Sequence, residues 1–560
     1  MSDISDYELE REANIARNRE LLAKLDFSVD LPSNPGKRKA QEKSSAKPVQ
    51  PNKRTKREKE PVIPVRQSAR LRRTTVILDE SPGQRKRREK EEEELRKKEE
   101  EERLEAEEHA REAKRPRHHD LDLSVVADDL LPEDLSALRT TLQTLTQTAH
   151  PRRTASHDAF VFDTDKKEAE ALTDLREKLG RLKVVARAKV TQDRVYSAAY
   201  HPDPTKDLIF FGDKHGQLGI WDARAPPDEA ADEDGETSAA SDGENGRHWA
   251  MQIHWPASSR SSISSIKFDP VNSHNVFTSS YDCTIRSLSF TSEISREIFS
   301  TDDVLISCID LLPTGQEMWI SDAVGGLTHL DLREDRSRAR WYQVSEQKIG
   351  SVSINPRNPH FLVTASNNRA MKVWDTRRLE NIPVQTLDDD LVEMKDFNQE
   401  IVEEHLSSAA GNNCLRADWR HNKSVSSAYW DPRGRSILST SYDDTLRLWD
   451  IDSSLMARDT PFPSSRPFSH VQHNCQTGRW LTVFKAQWSP NPDCYPHFTV
   501  GNMEHSLDIF SCKGDLVTRL ADRKKITAVQ AVTCSHPSIL ERAASGNASG
   551  RCVLWAPLDL

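Results

Sequence analysis

The sequence predicts an all-β protein, a seven-bladed β-propeller that follows a long, charged, largely disordered or helical N-terminal region. The first observation is the unit at 425–450, VSSAYWDPRGRSILSTSYDDTLRLWD, in which turn residues separate three strand-like runs and Trp449-Asp450 closes the unit. The second is that related units recur along the chain, seven in all. The third is their spacing, which matches the period of about 40–45 residues typical of WD-repeat blades.

The seven units end at equivalent positions: 221, 288, 330, 374, 449, 510 and 555. The intervals that end at 330, 374 and 555 are 42, 44 and 45 residues long, and the longer intervals must carry insertions. We expect these insertions near 225–250, 386–415 and 453–483. A single unit cannot bury both faces of its sheet, so the seven units predict one WD40 propeller at 186–560.

The N-terminal region divides into segments of different composition. Residues 1–27 predict an amphipathic helix, because Ile15, Leu21, Leu22 and Leu25 fall near helical spacing. A helix this short between polar segments is expected to fold on a partner, and docking on its own propeller is the alternative.

Residues 28–83 predict a basic disordered arm. Between 37 and 73 the chain has 14 Lys and Arg against 3 Asp and Glu. Two clusters within it are typical of a bipartite nuclear-import signal: Lys37, Arg38, Lys39, Lys53, Arg54, Lys56 and Arg57. The same charge would neutralise nucleic-acid phosphates without reading sequence, and a merely solvated tail is the third interpretation.

Residues 84–117 predict a single solvated helix, since Glu and Lys or Arg alternate at i,i+4 with almost no apolar stripe. Residues 118–185 form a lead-in with some helical content. At its end, 183–190 (KVVARAKV) predicts a strand. We expect this strand to complete the last blade, because ring closure removes an open sheet edge.

Composition and motifs limit the classes of function that this protein can have. The eight cysteines show no metal-ligand spacing, and no apolar run is long enough to suggest a membrane span or signal peptide. His470, His473 and Cys475 share a loop but match no zinc pattern. There is no P-loop, HExxH or GxSxG motif. The sequence therefore predicts a non-enzymatic protein without cofactor or metal.

An arginine follows the WD-type aspartate at three blade ends. These residues are Arg224, Arg333 and Arg377. The blade fold does not need this arginine, so its presence in two consecutive blades favours a partner-binding surface. The alternative is an arginine that satisfies the turn after the strand.

The later blades are rich in basic residues, several of them in predicted rim loops. The set is Lys348, Arg357, Arg369, Arg416, Arg420, His421, Lys423, Arg433, Arg435, Arg479, Lys485, Arg523, Lys524 and Lys525. Trp419, Trp430 and Trp480 lie among them. These tryptophans could stack nucleic-acid bases, although filling the blade core is the favoured interpretation.

Three segments carry a resemblance to a known family: YELEREANIARNRELLAKL, LRADWRHNKSVSSAYWDPRGRSILSTSYDDTLRLWD and HNCQTGRWLTVFKAQWSP. With them the chain resembles the fungal DNA damage-binding WD-repeat proteins of the "changed mutation rate" type, relatives of metazoan WD-repeat protein seventy-six. The resemblance covers the N-terminal helix and 185–560. It implies a nuclear, DNA-binding protein that prefers damaged duplex and acts in genome maintenance.

More distantly, blades four to seven resemble the smaller subunit of the UV-damaged DNA-binding complex. That resemblance implies docking on a cullin-ring ligase adaptor through Arg377. It also implies a hairpin that separates bases, matched here by Val471-Gln472-His473, with Val where the relative has Phe.

The predicted function is therefore binding of DNA, with preference for UV-damaged or distorted duplex and no sequence specificity. The predicted DNA-binding residues are Lys348, Arg420, His421, Lys423, Gln472, His473, Arg479 and Lys485. A substrate receptor of a cullin-ring ubiquitin ligase is the first alternative. A scaffold for histones or chromatin complexes is the second.

Overall fold

The computed structural model describes residues 98, 118–226, 245–383, 386–387, 392–393, 395–463 and 466–558. Apart from Lys98, the predicted N-terminal helix, the basic arm with its import signal and the charged helix lie outside these residues. Residues 227–244, most of the insertion expected near 225–250, lie outside them as well.

Seven antiparallel sheets form the blades of a propeller, each with four strands, a to d, from the central channel to the rim. Their bounds are, in blade 1, Val195–Tyr200, Leu208–Asp213, Gln217–Asp222 and Arg247–Gln252; in blade 2, Ile263–Phe268, Asn275–Ser280, Thr284–Ser289 and Ile294–Ser300; in blade 3, Ile306–Leu311, Glu317–Asp322, Gly326–Asp331 and Arg340–Gln343; in blade 4, Ile349–Ile354, Phe361–Ser366, Ala370–Asp375 and Leu415–Arg420. Blade 5 has Val425–Trp430, Ser436–Ser441, Thr445–Asp450 and Ser469–Gln472; blade 6 has Gln487–Trp488, His497–Gly501, Leu507–Ser511 and Leu516–Leu520; blade 7 has Gln530–Ser535, Ala543–Asn547, Arg551–Ala556 and Lys183–Lys189. The prediction of a seven-bladed propeller is confirmed.

The closing strand of blade 7 comes from the N-terminal side of the ring, as predicted. Lys183–Lys189 pairs antiparallel with Arg551–Ala556, with Lys183 opposite Ala556, Lys189 opposite Arg551 and a β-bulge between Val184 and Ala186. This pairing gives blade 7 its outer strand, and it joins the two ends of the ring through backbone hydrogen bonds.

The residues at the blade-end position fill the contacts between sheets. Trp221, Trp374 and Trp555 are fully buried there. The indole Nε1 of Trp374 donates to Thr364 Oγ1 at 3.1 Å, and that of Trp555 donates to Ser545 Oγ at 3.1 Å. Trp449 is buried at the same position in blade 5, although its Nε1 has no hydrogen-bond partner among the described residues. Burial of a large ring is therefore the feature that these blade ends share.

The lead-in ties several blades together. Leu121–Asp122 adds a fifth strand to blade 2, followed by helices α1 (Leu123–Val126) and α2 (Pro132–Leu145), which pack on blades 1 and 2. Helix α3 (Asp165–Gly180) then packs against blade 6. There Glu168 accepts from Lys513 Nζ at 2.5 Å.

Smaller elements lie in the connections between strands c and d of blades 3, 4 and 5. Their bounds are Thr376–Leu379 (α4), Gln399–Ser407 (α5) and Ser453–Ala457 (α6), a 3₁₀ turn at Arg336–Arg338, a two-stranded pair at Thr386–Leu387 and Val392–Glu393, and Asp396–Phe397, which lies parallel to the outer strand of blade 3. Among the residues that the structure describes, none forms a helix with the length and apolar character needed to cross a membrane.

The strand directions define two faces. In blade 1 the start of strand a lies opposite the end of strand b, and the start of c lies opposite the end of d. The loops that join d to the next a, and b to c, therefore share one face, which we call the upper face. The a–b and c–d loops form the lower face.

We predict that the closing strand decides the stability of the ring. Removing residues 1–189 leaves blade 7 with three strands and an open edge, whereas removing 1–117 keeps every described strand. The shorter truncation should unfold near the melting temperature of the full chain in a thermal scan. The longer one should melt many degrees lower or aggregate, because its exposed edge invites pairing between molecules. Equal melting temperatures would contradict the role assigned to this strand.

Candidate nucleic-acid interface

The eight predicted DNA-binding residues all lie at the upper end of their blades. Lys348 is in the loop between blades 3 and 4, Arg420 ends blade 4, and Lys423 is in the loop that follows. Gln472 ends strand d of blade 5, and Arg479 and Lys485 lie in the long loop at 473–486 between blades 5 and 6. The fold thus brings to one face residues as far apart in sequence as Lys348 and Lys485, which are 137 positions apart.

The cations of the upper face are largely without acidic partners. In the described part of the chain, no carboxylate lies within ion-pair distance of Arg369, Lys423, Arg479, Arg523 or Lys524, all of which are exposed. Arg420 Nε lies 3.2 Å from Asp418, and Arg519 near the upper end of blade 6 pairs with Asp508 at 2.8 Å and with Glu504 at 3.4 Å. Unpaired cations on one face create a positive potential that attracts a polyanion.

The lower face differs in this respect. Arg336, Arg378 and Arg435 each pair with a carboxylate, at 2.8 Å to Glu297, 2.6 Å to Asp459 and 2.6 Å to Asp450. Their charges are neutralised locally. The two faces thus present different fields, although both are rich in arginine.

Two of the predicted contacts, His421 and His473, are buried instead of facing solvent. Their exposed fractions are 5% and 7%. His421 Nε2 bonds to Ser439 Oγ at 2.8 Å, and His473 Nε2 donates to the Gly501 carbonyl at 2.8 Å. Burial lowers the pKa of His421 to about 4 and also lowers that of His473, so the folded state favours neutral rings. We leave both residues out of the interface.

The segment predicted as a base-separating hairpin is a strand. Ser469–Gln472 is the outer strand of blade 5, with Val471 opposite Leu446 and Gln472 opposite Thr445. The backbone of this segment is therefore held in the sheet of blade 5 and does not form a projecting hairpin. Of the three residues, Gln472 alone is exposed, at the upper end of the strand.

The projecting element is the loop that follows, and it carries Trp480. The Trp480 side chain is 78% exposed, the largest exposure among the described large hydrophobic residues. Arg479 lies beside it, with its guanidinium carbon 5.5 Å from the centre of the Trp480 ring. Gly478, at φ +63°, makes the turn before this pair, and a side chain there would be strained. Trp419 and Trp430, by contrast, are buried in the blades, as expected.

Hydrogen bonds hold the Trp480 loop across the top of the propeller. Cys475 N donates to Asp444 Oδ1 at 2.9 Å at the start of the loop. At its far side Thr482 Oγ1 donates to the Val195 carbonyl at 2.5 Å, and Arg194 donates to the Arg479 carbonyl at 3.1 Å. Since Val195 begins strand a of blade 1, the loop spans from blade 5 over the mouth of the channel.

Lysine side chains line the space below this loop. Lys485 donates to the Gly350 carbonyl at 3.2 Å, which bridges from blade 6 to blade 4. Lys348 donates to Tyr281 Oη at 2.7 Å, and its ammonium lies 4.6 Å from the Tyr281 ring centre. Both lysines are half-buried, so they add positive charge to this face but extend little into the solvent.

The sequence favoured the blade core for Trp480 as it did for Trp419 and Trp430. The signal that could have identified it is the flanking Gly478 and Arg479, which are poor candidates for a buried strand. Trp480 lies in a loop, whereas Trp419 and Trp430 lie within runs that form strands.

The three arginines that follow blade ends all lie on the lower face. Arg377 and Arg333 are 62% and 54% exposed, and each forms a two-point contact with the aspartate before it. For Arg377 the distances to Asp375 are 2.9 and 2.7 Å. Arg224 is less exposed, at 29%, and pairs with Asp207 at 2.8 Å. The carboxylates orient the guanidinium groups and leave part of each facing solvent.

The described residues contain no group of His, Cys, Asp and Glu that could hold a metal ion. The described cysteines are unpaired and mostly buried, and burial raises the pKa of Cys414 and Cys475 to about 12. Such thiols are protonated at neutral pH and are poor nucleophiles.

Comparisons with known proteins agree with this architecture. The WD domain, G-beta repeat family matches residues 412–450. The chain is 37% identical to a DNA damage-binding protein CMR1 of Cryptococcus neoformans var. neoformans serotype D, over 100% of both chains. The identity is 32% to the protein of the same name from Mycosarcoma maydis, again over 100% of both. It is 30% to that of Phaeosphaeria nodorum, over 99% of this chain and 98% of the relative.

His421 and Lys423 form a matched pair that separates stability from binding. His421→Gln should lower the free energy of unfolding by about 1–2 kcal/mol through loss of a buried hydrogen bond, with DNA affinity unchanged. Lys423→Ala should weaken DNA binding and leave stability unchanged. Equilibrium unfolding and a DNA-binding titration on both variants provide the measurement.

The same histidine predicts a pH dependence. Its pKa lies near 4 in the folded protein against 6.5 for a free side chain, so the unfolded state binds the proton first as pH falls. This contribution to stability is complete above about pH 6.5 and declines towards pH 4. The decline should be shallower in His421→Gln, and an unchanged slope would contradict the assigned burial.

Proposed function

The chain belongs to the CMR1 family of DNA damage-binding proteins, and from that premise we propose that its upper face binds DNA and prefers damaged or distorted duplex. In this proposal the propeller is a binding protein and not an enzyme. It acts in the nucleus. The basic arm directs nuclear import and also adds affinity for DNA.

The observation that carries the proposal is the exposed Trp480 at the centre of a basic face. Holding an indole in water is unfavourable, because burying such a ring contributes a few kcal/mol at about 25 cal/mol per Å². The hydrogen bonds at both ends of the loop nevertheless keep it there. A nucleic-acid base offers a flat apolar face of matching size, and stacking on an aromatic side chain contributes about 1–3 kcal/mol.

The surrounding cations would hold the phosphates. Arg369, Arg420 and Lys423 lie on the side of blade 4, and Arg523 and Lys524 lie on the side of blade 7. Contacts of this kind position a duplex without reading its sequence. The Trp480 loop would then lie over the bases, with these two groups of cations on either side of it.

Preference for damage follows from the cost of opening the duplex. Inserting a side chain into an intact step costs a few kcal/mol of unstacking, and that cost falls where a lesion has already weakened stacking. We expect a modest preference, about tenfold or 1.4 kcal/mol. UV photoproducts are one lesion class that meets this condition.

A second candidate function rests on the lower face. The exposed, pre-oriented guanidinium groups of Arg333 and Arg377 favour docking of a carboxylate or carbonyl of a protein partner. The partner suggested by the distant resemblance is a cullin-ring ligase adaptor, which would make this protein a substrate receptor. The histone or chromatin scaffold remains a prediction.

Trp480→Ala should remove most of the preference for damaged DNA. Loss of one stacking contact predicts a fall in affinity for a mismatched or UV-treated duplex of about tenfold, and of less than threefold for intact duplex. Phe468→Ala, at an aromatic that is 52% exposed on the lower side of blade 5, is the matched control and should change neither. Equal losses on both duplexes would make Trp480 an ordinary backbone contact, and no loss would remove it from the interface.

Arg377→Ala should abolish binding of the adaptor while DNA affinity and melting temperature stay near those of the unchanged protein. Folding should tolerate the change because the buried Asp375 keeps Arg416 at 3.9 Å as a second cation. Arg338→Ala, at a lower-face arginine that is 67% exposed, is the control. Co-purification with the adaptor measures the effect. Unfolding of Arg377→Ala would support a structural role instead.

A further inference from the structure

The central channel opens at its lower end into a cavity of about 350 Å³, a size within the range of about 300–1,000 Å³ that ligand pockets occupy. Inner strands or a–b loops of all seven blades line it. Residues 149–153 of the lead-in cross its mouth, where His150 N donates to the Asn272 carbonyl and Arg153 Nη2 to the Pro537 carbonyl, both at 3.2 Å. We call this segment the strap and the space above it the strap cavity. The cavity lies at the end of the channel opposite to the Trp480 loop.

A buried carboxylate in the cavity wall has one oxygen without a hydrogen bond. Asp310 is buried, and its Oδ2 accepts from Ile354 N at 2.8 Å. Its Oδ1 accepts no hydrogen bond from any residue that the structure describes, although Lys267 Nζ lies 3.2 Å away and Arg152 Nη1 lies 3.8 Å away. Both cations line the cavity, and within the described residues neither donates a side-chain hydrogen bond. Their N–H groups can therefore serve a further acceptor in the cavity.

The other carboxylates and cations of the lining are already engaged. Asp431 pairs with Arg433 at 2.7 Å, and Arg153 pairs with Asp493. Asp269 directs both of its oxygens into its own loop, where they accept a backbone and an amide N–H at 2.8 and 3.2 Å. What faces the cavity is one carboxylate between two cations, which leaves a local excess of one positive charge. Such a charge attracts an anion, and more strongly in a partly enclosed space than in open water.

Apolar rings make up much of the remaining lining. Seven prolines contribute to it, six from a–b loops and one, Pro151, from the strap. Phe268, Trp430 and Trp488 add aromatic surface. Ser273 adds a hydroxyl whose Oγ is buried and has no hydrogen-bond partner in the described part of the chain. Apolar walls with a few converging polar groups are typical of small-molecule sites.

We propose that the strap cavity binds a small organic anion, a molecule with one carboxylate or phosphate group and a compact apolar body. The anionic group lies between Lys267 and Arg152 and accepts the hydrogen bonds that Asp310 leaves unused. The apolar body packs against the proline and aromatic rings. This site is separate from the DNA-binding surface proposed above and does not depend on it.

The strap favours a small molecule over a segment of another protein. It is tied to blade 2 at Asn272, and the bond from Ala155 N to the Pro432 carbonyl, at 3.2 Å, ties the chain that follows to blade 5. The strap therefore crosses the mouth of the cavity, and a folded partner meets its outer side. Because Arg152 belongs to the strap, a bound anion joins the strap to Lys267 of blade 2 and stabilises the folded chain.

Phenyl phosphate is a suitable probe because it combines one phosphate with one flat ring. In isothermal titrations of the full chain we expect it to bind, and benzyl alcohol, a ring without charge, to bind about tenfold more weakly or not at all. Inorganic phosphate should also bind more weakly, since it has no apolar body to bury. Equal affinity for inorganic phosphate would mean an adventitious ion only and would overturn the assignment, as would the absence of phenyl phosphate binding.

Two substitutions in the cavity should change this affinity in opposite directions. Lys267→Met should weaken phenyl phosphate binding by about tenfold or more, since it removes a charged donor. Asp310→Asn should strengthen it by about threefold or more, because the negative charge that competes for both cations is gone and the amide oxygen can still accept from Ile354 N. Arg338→Ala, at an exposed arginine of the same face, is the control and should change nothing. Weaker binding in both cavity variants would make Asp310 and Lys267 a purely structural pair and would overturn the site.

Protection of Lys267 in the unchanged protein gives a result even where a variant fails to fold. Saturating phenyl phosphate should slow acylation of Lys267 by acetic anhydride by about fivefold or more, while the exposed Lys166 of helix α3 keeps its rate, as read by peptide mapping. An unchanged rate at Lys267 would overturn the proposal. Protection by a short polyaspartate peptide, with none by phenyl phosphate, would assign the cavity to a protein segment instead. A protein that passes these tests but binds no DNA would overturn the proposed function and leave the strap cavity intact.

Discussion

Closure of the ring is the constraint on which the rest of this structure depends. Each blade buries its inner faces only against two neighbours, and the last blade has an outer strand only because residues 183–189 return to it. The lead-in must therefore travel from blade 2 to blade 7. It crosses the lower face on the way, where Arg152 N donates to the Pro270 carbonyl at 2.7 Å and Ala155 N to the Pro432 carbonyl at 3.2 Å.

This path gives the two faces different characters. The lower face is crossed by the lead-in, and its arginines pair with nearby aspartates and glutamates. The upper face carries several exposed cations without a described ion pair, together with the Trp480 loop. Charges that are not neutralised locally act over about a Debye length, near 8 Å at physiological ionic strength. The geometry therefore separates a face with several exposed, unpaired cations from a face whose arginines are oriented by carboxylates.

Stiffness of the scaffold makes the central loop important. Strands held in closed sheets cannot follow the shape of a distorted duplex, so recognition of distortion has to come from a loop. The Trp480 loop is anchored at Asp444 and again at Val195, which limits the freedom it would lose on binding. An exposed aromatic whose backbone is already ordered can stack at a smaller entropic cost than one in a free loop.

The sequence by itself determined the propeller, the number of its blades and the origin of its closing strand, because strand periodicity, turn residues and blade length are local properties. The eight residues that it selected for DNA contact lie at the upper end of their blades, since each ends a d strand or follows one, whereas Arg357, Arg433 and Arg435 of the wider basic set lie in a–b loops of the lower face. Tertiary structure alone decided which of them are accessible. His421 and His473 resemble loop residues in sequence, yet each packs into a blade and bonds to a neighbouring strand. Trp480 resembles a core residue, yet its loop crosses the channel mouth and no sheet covers it. The burial of a side chain depends on which distant parts of the chain pack around it. A contact such as that of Thr482 with Val195, 287 residues away, cannot be predicted from the local sequence.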